Sequence, residues 1–121
     1  MSDIAASDIT VTQDFPQEIF GLPMGHSLML PTLTFGNGSL TYPTYGVPVP
    51  ALKEFRLSSG IDRIHITPRV GTYMWIYDPT VRTATPVAPN GTLRAYALAT
   101  GSEMSGAITA NTKLDLMILG S

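Results

Sequence analysis

The sequence predicts an all-β protein: a β-sandwich or jelly-roll-like single domain over residues 8–121, preceded by an extended N-terminal arm over residues 1–7. Three observations carry this. Short runs that alternate polar and apolar residues, or are apolar on both faces, recur along the chain, as strands require. Asn37-Gly38, Asp78-Pro79 and Asn90-Gly91 punctuate these runs with residues that favour turns. No stretch carries a convincing amphipathic-helix period, so about eight strands must supply the layers.

The arm, Met1 to Ser7, is made mostly of small residues that bury little, and is expected to be loose or ordered against a neighbour. Asp8 to Gln13 alternates, with Ile9 and Val11 on one face, and Asp14-Phe15-Pro16 ends it. Gln17 to Leu22 reads as a turn of helix or a bridging segment, closed by Gly21-Leu22-Pro23. Ser27 to Phe35 is apolar on both faces, as for a strand between two layers or between subunits, while Pro31 places it at an edge or bulge. Asn37-Gly38 predicts a hairpin that sets Thr34-Phe35 against Leu40-Thr41.

From Tyr42 to Pro50 a helix is excluded, because Pro43, Pro48 and Pro50 remove N–H donors and push the preceding residues toward extended geometry. The large apolar side chains on this stiff passage suggest contact with another surface. Ile61 to Thr67 alternates, with Ile64 and Ile66 inward and Arg63 and His65 outward. Thr72 to Tyr77 puts Tyr73, Trp75 and Tyr77 on one face and Met74 and Ile76 on the other, and is expected at the centre of the core. Asp78-Pro79-Thr80 is a turn in which the Asp side chain bonds backbone two residues on. Val81 to Val87 is a weak strand broken by Pro86, and Ala88-Pro89-Asn90-Gly91 is a turn. Helix and strand compete over Thr92 to Thr100, and the flanking Thr, Tyr and Gly favour strand. After a polar loop over Gly101 to Asn111, Lys113 to Leu119 closes the fold with Leu114, Leu116 and Ile118 inward.

At 121 residues the chain is long enough for one self-standing core. Only 13% of residues are charged, about half the usual share, which favours assembly over life as a dilute monomer. The basic residues Lys53, Arg56, Arg63, Arg69, Arg82, Arg94 and Lys113 are scattered and the net charge is −2, so no nucleic-acid partner is expected. The absence of cysteine excludes disulfides and thiolate metal sites, and neither a signal peptide nor an apolar run of transmembrane length suggests a membrane.

Catalysis finds little material. His26 and His65 are the only histidines, too few for a zinc site, and His65 reads as a solvated or interface side chain. Asp62, Asp78 and Asp115 sit at strand ends or turns, where Asp commonly caps backbone rather than working as a paired acid and base. There is no nucleophile elbow or phosphate loop. No enzyme activity, cofactor or metal is therefore expected, and Asn37-Gly38-Ser39 and Asn90-Gly91-Thr92 read as turns rather than glycosylation sites. The Tyr73/Trp75/Tyr77 face is a core surface in this reading, and an exposed sugar-stacking platform in its rival. Met24, Met29, Met74, Met104 and Met117 read as scattered gap-fillers.

The run TFGNGSLTYPTYGVPVPALKEF, followed by IDRIHI and YMWIYDP, resembles a family of small structural proteins of tailed bacteriophages. In that family a GxLTYPxxGVPLP-type passage precedes a short apolar strand and an aromatic strand ending in YD. The match runs from Leu33 to Asp78, with Leu114 to Leu119 as a further part. The resemblance implies a virion component on the capsid surface, made in the host bacterial cytoplasm: a capsid decoration or cement protein whose partners are the major capsid protein and further copies of itself, in an oligomer with a trimer as the analogue. Ile4, Ile9 and Val11 from the arm and first strand, and Tyr42, Pro43, Tyr45, Val47 and Pro48 from the proline-rich passage, are the expected contact residues. The rival is a small carbohydrate- or ligand-binding β-sandwich of a phage tail or fibre, which requires an exposed Trp75.

Overall fold

In the computed structural model two antiparallel sheets enclose a common core. Residues 3–13, 20–21, 27–55, 57, 59–68, 73–83, 87–108, 110 and 112–121 are described. The strands are β1 (Thr10–Gln13), β2 (Phe20–Gly21), β3 (Ser27–Met29), β4 (Pro31–Phe35), β5 (Val47–Pro48), β6 (Ile61–Pro68), β7 (Tyr73–Asp78), β8 (Thr92–Ala97) and β9 (Thr112–Gly120). Single 3₁₀ turns occur at Ala6–Asp8 and Leu52–Phe55. His26, Met24 and most of the Gln17–Leu22 segment lie outside the described residues.

The larger sheet is built on β9. One edge of β9 carries β3 and β4 in a single register, from Ser27 opposite Gly120 to Phe35 opposite Thr112, and the other edge carries β6. β1 and β2 flank β4 and β3 on the outside. The expected strand over 27–35 is therefore present, but internal: β4 has β1 on one side and β9 on the other. Pro31, buried on the core side, lacks an N–H, and regular pairing lapses beside it at Leu30 instead of at a sheet edge.

Occupancy of both β4 edges also overturns the expected hairpin. Asn37 Oδ1 accepts hydrogen bonds from the N–H groups of Ser39 (2.8 Å) and Leu40 (2.9 Å), so the turn forms. Thr34, however, already lies between Thr10 and Lys113, and Thr41 pairs instead with Asp3 and Ala107.

The smaller sheet has the order β5, β8, β7. Thr92–Ala97 is its centre, so the ambiguous segment is a strand. β7, expected at the centre, is an edge strand with Met74 and Ile76 exposed. Its other face does enter the core: Trp75 is 6% exposed and meets Phe35 of the larger sheet edge-to-face, with ring centroids 5.6 Å apart. Leu114, Leu116 and Ile118 of β9 point inward as expected, with Ile64 and Ile66 of β6 in register beside them.

The expected arm is not free. Ile4 is completely buried, its N–H donates to Thr41 O at 3.0 Å, and the Thr41 hydroxyl donates to Asp3 at 2.6 Å. One Ile among small residues suffices as an anchor when the core has a place for it, and composition averaged over the segment does not register a single buried side chain. The proline-rich passage is likewise docked on its own chain: Val47 and Pro48 pair with Leu93 and Thr92, and Val47 and Val49 are buried.

Gly46 makes this docking possible. Its φ is +103°, and a Cβ there would lie 2.7 Å from Leu93 O. Gly46→Ala is expected to destabilise by at least the ~1–3 kcal/mol typical of a strained backbone. Chemical denaturation of the two proteins checks this.

Candidate interaction surface

Of the eight expected contact residues, the structure leaves one in the open. Ile4, Ile9, Tyr42 and Val47 are core, Pro43 and Pro48 are buried, and Val11 is half-buried. Tyr45 is 49% exposed, and one face of its ring is covered by the Arg82 guanidinium at 3.9 Å. Extended segments rich in prolines and aromatics satisfy their apolar surface on the nearest sheet, here β8, so they are spent on folding rather than on reaching.

Exposed apolar side chains lie elsewhere: Val81, Val87 and Leu98 stand outside the seam between β6 and β7, whereas Met74, Ile76 and Met117 gather at it. There a groove of about 790 Å³ has Met74 and Ile76 of β7 on one side and Leu28, Met117 and Leu119 of β3 and β9 on the other. Arg63 and His65 of β6 lie between them. Register explains the assembly: on the outward face Leu28 lies opposite Leu119, and His65 opposite Met117. Met74 and Met117 are 52% and 48% exposed, so they are groove residues and not the gap-fillers expected; Met29, at 1%, fills the core. The signal for the groove was in the sequence, since YMWIY and LDLMIL carry apolar residues on both faces, but only one face of each can enter a core.

A polar network forms around Arg94. Arg94 Nε and Nη2 donate to Glu103 at 3.0 and 2.8 Å, Arg94 Nη1 donates to Asp78 at 3.3 Å, and Arg82 lies 3.6 Å from the same Asp78 oxygen. Tyr42 donates its hydroxyl to Glu103 at 2.5 Å and accepts the N–H of Ala95 at 3.1 Å. This network clamps the Gly101–Ile108 loop and the Tyr42 passage to β8. Hydrogen bonds from Arg94 hold the Glu103 carboxyl below its usual range, and the backbone N–H of Thr80 does so for Asp78. Burial and then the Glu103 bond raise the Tyr42 phenol.

Lowered carboxyl pKa values contribute stability above the unfolded values of about 4, and that stability is lost as pH falls through and below them. A raised phenol contributes below about pH 10 and loses it as pH rises further. The denaturation midpoint is therefore expected to be level through neutral pH and to fall on both sides, the acid fall shrinking in Glu103→Gln; urea titrations across pH check this.

Asp62, Asp78 and Asp115 take different places: Asp62 borders the groove, Asp78 is in the arginine network, and Asp115 accepts from Thr32 at 2.9 Å in a 270 Å³ depression that adjoins the groove at His65 and Met117. Among the described residues no three His, Asp or Glu side chains form a group able to hold a metal, and no helix is long and apolar enough to cross a membrane. No protein-family model, curated protein or solved structure matches the chain.

Proposed function

We propose that this chain is a structural protein of a tailed-bacteriophage virion, a capsid decoration or cement protein that binds the major capsid protein lattice and stabilises the shell as a homo-oligomer. The observation that carries this reading is the apolar β6/β7 groove on a protein with few charges. Apolar side chains left half-exposed around a concave surface favour burial against another macromolecule. A modest contact repeated over a lattice adds stability without any single contact being strong. The sugar-platform reading loses its main support, because Trp75 is turned into the core.

The test is co-sedimentation of the purified chain with empty capsid shells of the phage that encodes it. Met74→Glu combined with Met117→Glu is expected to leave the circular dichroism spectrum unchanged, both sites being half-exposed, and to lower shell occupancy at least tenfold. A native chain that stays in the supernatant at saturating concentration overturns the proposal.

A further inference from the structure

The two flanks of the fold are finished differently. On one, isolated bridges join Asp3 to Thr41, Thr41 to Ala107 and Glu103 to Tyr96, stitching the layers with backbone hydrogen bonds. On the other, among the described residues β6 pairs with β9 and β7 with β8, and no backbone pairing joins β6 to β7 beside the groove.

Charge narrows the occupant. Asp62 already has a partner, and Asp78, beyond Pro79, is held by Arg94 and Arg82. Arg63 is exposed, lines the groove and forms no ion pair with a described residue. Among the described residues the groove thus presents one guanidinium without an ion-pair partner, between two apolar walls. A second copy docked face to face about a two-fold axis through this groove would bring Arg63 toward Arg63, which like charges oppose.

We propose that the groove takes an extended segment of a partner protein in which apolar side chains flank a carboxylate that pairs with Arg63. The apolar side chains seat against Met74 and Ile76 on one side and Leu28, Met117 and Leu119 on the other. This deepens the proposed function and rests on its reading of the groove as the adhesive face.

The experiment pans a random heptapeptide display library against the immobilised full chain, then measures the enriched peptides in solution. Enrichment of sequences with one Asp or Glu between alternating apolar residues is expected. Affinity should fall at least tenfold with Arg63→Ala, and a peptide with Lys in place of its acid should regain binding to Arg63→Glu. Peptides bound with no dependence on residue 63, or no enrichment over the Met74→Glu chain, overturn the inference even if capsid shells still bind the native chain. A concentration-dependent dimer abolished by Met74→Glu overturns it too, by making a second copy the occupant. A successful charge swap with no shell binding sustains this inference while removing the capsid reading.

Discussion

Phe35→Ala is expected to lower the unfolding free energy by about 3–5 kcal/mol, the usual cost of deleting a buried aromatic side chain. Phe35 is 2% exposed on β4, between the sheets, and its ring meets Trp75 edge-to-face. Deleting it removes apolar burial, leaves a cavity and strips the indole of its partner across the layers. Urea denaturation followed by tryptophan fluorescence reads the stability, and the native spectrum itself should shift to the red as water gains access to the single tryptophan. A loss below about 1 kcal/mol, the scale of an average point substitution, would mean that the two sheets do not pack as described.

Ile4→Ala is expected to cost about 2–5 kcal/mol, the range for a large aliphatic residue in a closed core. This separates a docked terminus from a loose arm, for which the same substitution would be silent. Ile4 is fully buried and its backbone is tied to Thr41, which in turn bridges Ala107. Deleting residues 1–7 should therefore weaken the fold, and not merely a contact with another protein. Thermal unfolding of Ile4→Ala beside Leu98→Ala, a change at a side chain 66% exposed, provides the comparison.

How far the sequence reaches depends on how local the cause is. Alternation in IDRIHIT and KLDLMIL placed Ile64, Ile66, Leu114, Leu116 and Ile118 inward, because a strand with one wet face has only one register. The Asp78 and Asn90-Gly91 turns were equally legible, their hydrogen bonds spanning two or three residues. Pairing partners were not. The Asn37-Gly38 turn forms, yet the strand after it pairs elsewhere, since β1 and β9 occupy both edges of β4. Nor does apolar content distinguish a segment that docks on its own chain from one that waits for a partner: Tyr42, Val47 and Pro48 proved to be the former, Met74 and Met117 the latter in our reading.

The position of β9 in the chain has a consequence for how the protein is made. Every other described strand precedes it, and β3, β4 and β6 all use it as their common partner. During synthesis these three emerge with adhesive edges and nothing to close them, so the larger sheet assembles only once residue 120 has been translated. Such pairing between distant parts of the chain is slow and leaves nascent molecules prone to join one another. Yield in a bacterial host should accordingly respond to temperature and to chaperone supply.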